Sequence, residues 1–398
     1  MPRRLLASAV PGLATLLLGL WAHITGLWST LGVPVPSGGP HFGDLRIVMI
    51  ASQCAAADPA WNLETPPCDP GMAIYNYPSI WAKALGAFGA DGGWTTNVAV
   101  VLVVVFALSL STLTFLALRH GSQTMTVTAM TMAGLLPPVL LGYERGNIDL
   151  AVFGVLTVSI ALYVWGAARS SAVALGIATA LKLFPLGGAA MLMMRGPRRT
   201  STLVVFAVTA SLGLAFVVRD LIPIAARTPQ IDGASFGAGL LPILASTRLH
   251  WPPTVGTAKM LGLILLAVSI LVIAIAARAA RGTRAMAACA AMAAELRADR
   301  TSSALVLAGG GTFVMAYIVG PSYDYRLIFL IPAIAGLVRL SSSLARWAAV
   351  LLLLQMLLSY STFIGAAEYA SDLMLLVIVP VLILLGWNLI RPRPVAVS

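Results

Sequence analysis

The sequence predicts an all-α polytopic membrane protein, and three observations lead to that fold class. The 398 residues are 59% hydrophobic and only 10% charged, and the mean hydropathy is +0.92. Apolar runs of about 20 residues, long enough to cross a bilayer as helices, recur along the whole chain. Uninterrupted runs of this kind exclude a membrane β-barrel, whose strands alternate in polarity. We therefore expect a single integral-membrane domain over residues 1–398.

The first apolar run is too long for a cleaved signal peptide. It extends from about Leu5 to Leu27, whereas a signal-peptide core has about 7–15 apolar residues. We interpret it as an uncleaved first span, 6–28. Nine further spans are predicted at 95–118, 124–142, 149–167, 201–218, 256–277, 304–320, 325–341, 347–365 and 373–390.

One more apolar stretch, 171–194, does not fit the charge pattern as a single crossing. Basic residues flank both of its ends, and its centre contains Lys182, Pro185 and two glycines. Proline removes a backbone donor and glycine weakens a helix, so we predict a re-entrant hairpin or two short tilted spans. In this topology only Glu295 and Asp299 of the 14 acidic residues lie on the inner side.

The basic residues are spread over short loops between the spans. The formal net charge of +11 would suit a nucleic-acid-binding protein, but this distribution is typical of the positive-inside rule. No nucleic-acid partner is expected, and both termini are placed inside. The connecting segments are a first outer loop at 29–93, a second outer segment at 219–254 and a basic inner loop at 278–303.

The first outer loop contains several features of its own. From the residue after Gly43 as far as Ala56 it has no Pro or Gly, and we expect an amphipathic helix on the membrane surface. Cys54 and Cys68 both lie in this loop, where an oxidising exterior permits a disulfide, with two free thiols as the alternative. Asp44 follows the first span closely, and a charge held at the membrane favours a functional site.

Four short motifs occur in order along the chain. The first motif lies in the first outer loop and consists of Phe42-Gly43-Asp44-Leu45-Arg46, Cys54, Pro67-Cys68-Asp69 and Asn76-Tyr77-Pro78-Ser79-Ile80-Trp81. The second motif is Tyr143-Glu144-Arg145-Gly146-Asn147-Ile148-Asp149, and the third is Ala180-Leu181-Lys182-Leu183-Phe184-Pro185. The fourth motif is Tyr323-Asp324-Tyr325-Arg326-Leu327. Together they resemble a bacterial membrane glycosyltransferase family of GT-C architecture. That family includes the mycobacterial polyprenol-phosphate-mannose-dependent α-1,2-mannosyltransferases and related arabinofuranosyltransferases.

The resemblance implies a GT-C-like bundle of about 10 spans plus the broken helix pair, with the site on outer-face loops. A sugar, preferably mannose with arabinofuranose as the alternative, would pass from a polyprenyl-phosphate donor to a hydroxyl of a glycolipid or cell-envelope glycan, at the outer face of the bacterial plasma membrane. Asp44 matches the family's catalytic Asp, and an inverting transfer needs such a general base. The alternative is that Asp44 pairs with Arg46 or caps a helix.

The leaving polyprenyl phosphate requires cations, and the matching residues are Arg145, Arg326 and Lys182. The alternative for Arg145 is an ion pair with Glu144 or Asp149. The alternative for Arg326 is an ion pair with Asp324. No cofactor and no metal are expected, because the four His residues show no ligand spacing. The candidates for substrate binding are Arg46, Asn76, Tyr77, Glu144, Asn147, Asp324 and Tyr325.

A secondary transporter or lipid flippase is the alternative function. Such proteins also contain broken helices and charges within the membrane. They usually contain internal repeats as well, and the two halves of this sequence show no convincing duplication. The enzyme is therefore the preferred interpretation.

Overall fold

The computed structural model describes residues 2–31, 33, 41–58, 60–61, 75, 77–118, 122–194, 199–227, 235–236, 255–319, 322–359 and 367–391. These residues are mostly helical. The α-helices are α1 (Pro2–Thr25), α2 (Gly43–Ala57), α3 (Ser79–Ala87), α4 (Thr95–Ala117), α5 (Gln123–Leu135), α6 (Pro137–Arg145), α7 (Asp149–Val164), α8 (Ala168–Leu181), α9 (Arg199–Arg227), α10 (Val255–Ala279), α11 (Arg284–Ala298), α12 (Arg300–Val319), α13 (Ile331–Val338), α14 (Ser343–Leu358) and α15 (Ala367–Ile390). Shorter 3₁₀ helices are Ser29–Leu31, Gly92–Trp94, Phe184–Met193 and Asp324–Leu330, and the two-residue strands β1 (Ser235–Phe236) and β2 (Ser322–Tyr323) pair antiparallel.

Among the described residues, six helices are long and apolar enough to cross a membrane: α1, α4, α9, α10, α12 and α15. The pair α5 and α6, bent by 46°, would make a seventh. The prediction of an all-α multi-pass membrane protein is therefore confirmed. The larger number of about 10 spans stays a prediction, because α7, α8, α14 and the 3₁₀ helix Phe184–Met193 each have only 10–17 residues.

The bend between α5 and α6 follows from two consecutive prolines. Leu136 has extended backbone angles (φ −71°, ψ 151°), as expected for a residue that precedes proline. Pro137 then occupies the start of α6, where a missing backbone N–H is tolerated. The short helix α6 ends at Gly146, and α7 begins at Asp149.

The predicted break in 171–194 is present. Helix α8 ends at Leu181, Lys182 is extended, and a 3₁₀ helix with Pro185 in its first turn follows. Gly187 of this 3₁₀ helix lies so close to Gly311 of α12 that a Cβ on either residue would overlap the other's carbonyl oxygen. Whether the stretch is re-entrant or forms two short spans stays open.

The segment predicted as a basic inner loop, 278–303, contains α11 and the start of α12, and its location on the inner side stays a prediction. One other sequence prediction was wrong in detail. The span predicted at 325–341 is not one helix, since the 3₁₀ helix Asp324–Leu330 precedes α13. Pro332 lies in the first turn of α13, a position that favours a new helix start over continuation of the preceding one.

An aromatic chain forms the centre of the core. Phe106 of α4 lies 4.8 Å from Phe153 of α7, ring centre to ring centre, and Phe153 lies 6.1 Å from Phe329. Phe329 in turn lies 5.0 Å from Phe184, which follows the break after α8. These contacts fix α4, α7 and both longer 3₁₀ helices relative to one another.

The bundle has two chemically different ends. Helix α7 has 16 residues, so Asp149 at its start and Tyr163 near its finish are separated by roughly 20 Å. The Arg300 guanidinium, at the start of α12, lies 4.6 Å from the centre of the Tyr163 ring. We call the end with Asp149 the site end and the end with Arg300 the opposite end.

Candidate functional site

The amino end of α2 is seated on the corner between α6 and α7. The backbone N–H of Phe42 donates to the carbonyl oxygen of Glu144 at 2.8 Å. Gly146 has a φ of +60°, and a Cβ there would lie 3.0 Å from the Cβ of Leu45 and 3.1 Å from that of Phe42. Glycine permits both this backbone conformation and this close approach. The arrangement brings Asp44, in the first turn of α2, next to Arg145 and Asn147.

Asn147 holds the neighbouring groups in place. Its Oδ1 accepts a hydrogen bond from the backbone N–H of Asp149 at 2.9 Å, which fixes which end of the amide is the oxygen. Its Nδ2 therefore donates, to Asp44 Oδ2 at 2.6 Å and to the Tyr77 hydroxyl at 3.1 Å. The residue is fully buried. Its position orients the Asp44 carboxylate.

Asp149 binds two cations at once. Its Oδ1 lies 2.7 Å from Lys182 Nζ, and its Oδ2 lies 3.2 Å from Arg326 Nε. Only 1% of the Asp149 side chain is exposed. The break after α8 allows Lys182 to reach this carboxylate, since Lys182 lies just beyond the last helical residue.

The same two cations also contact aromatic rings. Lys182 Nζ lies 4.8 Å from the centre of the Tyr77 ring, and Arg326 Cζ lies 5.3 Å from that of Phe184. A cation over a ring face is stabilised by the ring quadrupole. These rings therefore assist Asp149 in holding two positive charges close together.

Arg145 is the most accessible of the three cations. Its Nε lies 3.9 Å from Asp44 Oδ1 and 3.9 Å from Glu144 Oε2, both longer than a hydrogen bond. One third of its side chain is exposed. We call Asp44, Tyr77, Glu144, Arg145, Asn147, Asp149, Lys182 and Arg326 the site cluster.

Helix α3 positions Tyr77 in the site cluster. The backbone N–H of Ser79, at the start of α3, donates to Asp220 Oδ2 of α9 at 2.7 Å. The Tyr75 hydroxyl donates to the Pro78 carbonyl oxygen at 2.9 Å. The segment just before α3 is thus tied both to α9 and to itself, with Tyr77 between the two bonds.

The pKa values of Asp44 and Tyr77 are shifted from their usual values. Burial raises the pKa of Asp44, and the charge of Arg145, the hydrogen bond from Asn147 and the charge of Lys182 partly oppose that shift. Burial raises the pKa of Tyr77 far above its usual value. Tyr77 is therefore a neutral hydroxyl at physiological pH.

The remaining predicted site residues are distributed as follows. Asp324 and Tyr325 are buried in the 3₁₀ helix that also carries Arg326. Arg46 is exposed on α2. Asn76 lies outside the described residues, so its role stays a prediction.

The cysteine prediction is open in the same way. Cys54 is disulfide-bonded and Cys289 is free. Cys68 lies outside the described residues. The specific pairing of Cys54 with Cys68 therefore stays a prediction.

Sequence reasoning missed the importance of Asp149 and Asp220. The sequence predicts Asp149 only as an ion-pair partner of Arg145, but it pairs with Lys182 and Arg326. Its position at the start of an apolar span was a usable signal, because a carboxylate there needs a partner. No local signal could identify Asp220, whose partner Ser79 is 141 residues away.

The chain matches no family model, no curated protein and no solved structure. Among the residues that the structure describes, no three His, Cys, Asp or Glu side chains are grouped as a metal would require. Function is therefore inferred from the site cluster and from the sequence motifs.

Proposed function

We propose that this chain is a membrane glycosyltransferase of GT-C type. It moves a sugar, mannose in the first instance, from a polyprenyl-phosphate donor to a hydroxyl of a glycolipid or cell-envelope glycan. One observation carries the proposal: Asp44 lies in a single cluster with Arg145, and Asn147 links it to the Asp149–Lys182–Arg326 ion pairs. A carboxylate for the acceptor hydroxyl and cations for the donor phosphate are the two parts that such a transfer needs.

Asp44 has the properties of a general base. Its Oδ2 is occupied by the Asn147 amide, whereas Oδ1 is 3.9 Å from Arg145 Nε and has no hydrogen bond within the described residues. Oδ1 is therefore the atom that would accept the proton of the acceptor hydroxyl. The side chain is 21% exposed, so a substrate can reach it. Burial raises its pKa, which makes the ionised form a stronger base.

The transfer can be written with atoms and charges balanced. The acceptor oxygen bonds to the anomeric carbon of the sugar while the bond from that carbon to the phosphate oxygen breaks. The electron pair leaves with polyprenyl phosphate, and the acceptor proton passes to Asp44. The donor diester has one negative charge and the product monoester gains a second, while Asp44 loses its own. The total charge in the site is thus unchanged.

Lys182 and Arg326 suit the donor phosphate. Both side chains pair with Asp149, and two cations that meet at one carboxylate can also attract the negative charge of a phosphodiester. Arg326 could donate two parallel hydrogen bonds to phosphate oxygens. Arg145, one third exposed, supplies a third cation between the phosphate and Asp44.

The distribution of basic residues supports a site on the outer face of the membrane. Arg297, Arg300, Arg339 and Arg391 belong to the opposite end of the bundle, where the sequence topology places the inside. The site end would then face outward from a bacterial plasma membrane, with both termini cytoplasmic. About 10 spans result if the bent pair α5 and α6, the short helices α7 and α14 and the segment 325–341 also cross the membrane, with α8 and the 3₁₀ helix Phe184–Met193 as the additional broken pair.

The alternative is a secondary transporter or lipid flippase, and one observation favours it. Helix α8 is broken at Lys182, next to buried charges, and transporters bind substrates at such breaks. The two functions differ in their products, because a transporter moves its ligand without forming a glycosidic bond.

The substitution Asp44→Asn tests the proposal. Membranes containing the variant are supplied with labelled polyprenyl-phosphate mannose, or the arabinofuranose donor, and lipid products are separated. Loss of a general base should lower transfer about 10²–10⁴-fold without weakening donor binding. Asp91→Asn, an exposed carboxylate outside the site cluster, is the matched control and should transfer normally. Transfer by Asp44→Asn at the wild-type rate would refute the base, and labelled lipid moved without any product would favour the transporter.

A further inference from the structure

A charged cavity lies at the opposite end of the bundle, away from the site cluster. It has a volume of about 440 Å³, and Arg297, Arg300 and Arg391 line it together with Ser303, Met194 and Leu389. The three arginines come from the end of α11, the start of α12 and the residue after α15. Three separate elements therefore place guanidinium groups around one space.

Two of these arginines are held in position by uncharged groups. Arg297 donates to the carbonyl oxygen of Asn388 at 3.0 Å and to the side-chain oxygen of the same residue. Arg300 lies over the ring of Tyr163 at 4.6 Å. Neither contact supplies a negative charge to these two side chains.

The acidic residues nearest in the sequence are engaged elsewhere. Asp299 accepts hydrogen bonds from Arg339 at 2.5 Å and from Ser302 at 2.7 Å. Glu295 accepts from the hydroxyl and the backbone of Ser341. Within the described part of the chain, Arg297, Arg300 and Arg391 thus form no ion pair with a carboxylate.

We propose that this cavity binds the phosphate headgroup of an anionic phospholipid. Unpaired guanidinium groups attract phosphate and can donate paired hydrogen bonds to it. The apolar side chains of Met194 and Leu389 in the same wall suit the glycerol backbone and upper acyl chain better than a soluble ion. Basic cavities between helices at a membrane surface are a recurring form of lipid site. The proposal is independent of the glycosyltransferase reaction.

Native mass spectrometry of the full chain in neutral detergent tests this site. Wild-type protein should bind phosphatidylglycerol about tenfold more tightly than phosphatidylcholine. The variant with Arg297, Arg300 and Arg391 all changed to Gln should bind phosphatidylglycerol roughly a hundredfold more weakly, about fivefold for each charge removed. A control variant with Arg3, Arg4 and Arg284 changed to Gln has the same net charge and should keep the wild-type affinity, because these exposed residues do not line the cavity.

Equal binding of the two lipids, or equal loss in both triple variants, would overturn the proposal. Should the cavity variant fail to fold, Arg391→Gln alone replaces it. Arg391 is exposed and follows the last helix, and the Arg391→Gln variant should bind phosphatidylglycerol about fivefold more weakly. An unchanged affinity would contradict the proposed lipid site. A final arm adds millimolar inorganic phosphate. Displacement of the lipid by phosphate would mean that the cavity binds a soluble anion, which also overturns the lipid assignment.

Discussion

Replacing Asp149 by Asn would leave two buried cations without their shared counter-charge. Asn has nearly the same shape as Asp but no charge, so the change isolates the electrostatic contribution. Removing one partner of a buried ion pair destabilises a protein by about 3–5 kcal/mol, because the remaining charge is uncompensated. The exposed fractions of the Lys182 and Arg326 side chains are 10% and 19%, so some hydration remains. We therefore expect a loss near the lower limit, about 3 kcal/mol.

Thermal unfolding in neutral detergent measures this effect. For a protein of about 250 residues, a loss of about 3 kcal/mol lowers the melting temperature by roughly 6 °C or more. The shift per kcal/mol decreases with chain length, so we expect a fall of slightly less than about 6 °C for this longer chain. A second substitution separates charge from shape. Lys182→Met in the Asp149→Asn background removes one uncompensated cation, so the double variant should melt above Asp149→Asn alone. Lys182→Met by itself should be milder, because Asp149 keeps Arg326 as its partner.

Asp91→Asn is the control for the loss of one carboxylate. Asp91 is exposed, and its Oδ1 accepts a hydrogen bond from the Gly93 backbone at 2.8 Å, which the Asn oxygen can replace. Its melting temperature should match the wild type. If Asp149→Asn melts together with this control, or if Lys182→Met lowers stability further in the Asp149→Asn background, the electrostatic account of the site cluster is wrong.

Three further predictions concern other parts of the molecule. Because burial raises the pKa of Asp44 and only the ionised carboxylate accepts a proton, sugar transfer should rise with pH to a plateau; a pH series that is flat from acid to neutral would contradict the base. The pKa of Asp299, at the opposite end, is shifted downward: burial opposes ionisation of this carboxyl, but hydrogen bonds from Arg339 and Ser302 outweigh burial and lower its pKa below the usual value. Its contribution to stability is therefore present above the pKa of the unfolded chain and is lost as the pH falls through the folded value. Asp299→Asn should cost about 2 kcal/mol at neutral pH, and its unfolding should converge with that of the wild type in strong acid; a constant difference at every pH is the contrary result. Gly311→Ala would force a Cβ onto the Gly187 carbonyl oxygen and should destabilise the protein by about 1–3 kcal/mol. Gly386→Ala, where a Cβ meets only Leu307 Cδ2 at 3.6 Å, should melt like the wild type, and equal melting of both glycine variants would show that the contact can relax.

The sequence predicted those features that depend on neighbouring residues. Apolar runs gave most of the helices, and Lys182 with Pro185 gave the break that follows Leu181. Both of these signals are local, because apolar runs and proline determine the conformation of the residues beside them. The prediction of one continuous helix at 325–341 was wrong because the signal behind it was also only local. Hydropathy does not distinguish a continuous helix from a 3₁₀ helix followed by α13.

Pairing between distant segments could not be derived from the sequence. Arg326 and Asp149 are 177 residues apart, yet they share a hydrogen bond. Several arginines were equally reasonable partners for this carboxylate, and only the packing of α7 against the 3₁₀ helix Asp324–Leu330 selects one. The motifs identified which short segments belong to the site, whereas the fold decides which atoms meet.

Helix ends explain how so many charges can lie together in an apolar bundle. Asp44 and Asp149 are in the first turns of α2 and α7, where the positive end of the helix dipole favours a carboxylate. Arg145 is in the last turn of α6 and Lys182 follows the last residue of α8, where the negative end favours a cation. Each of these placements contributes about 0.3–1 kcal/mol, or more where the group is partly buried.

This arrangement requires that four helices end at the same place inside the bundle. Gly146 ends α6, and the extended residue Lys182 ends α8, so neither helix continues in a straight line past the site cluster. For the same reason, the site cluster and the breaks should depend on each other: a substitution that extends α6 past Gly146 would push side chains into Leu45 and Phe42 and move Asp44 away from Arg145.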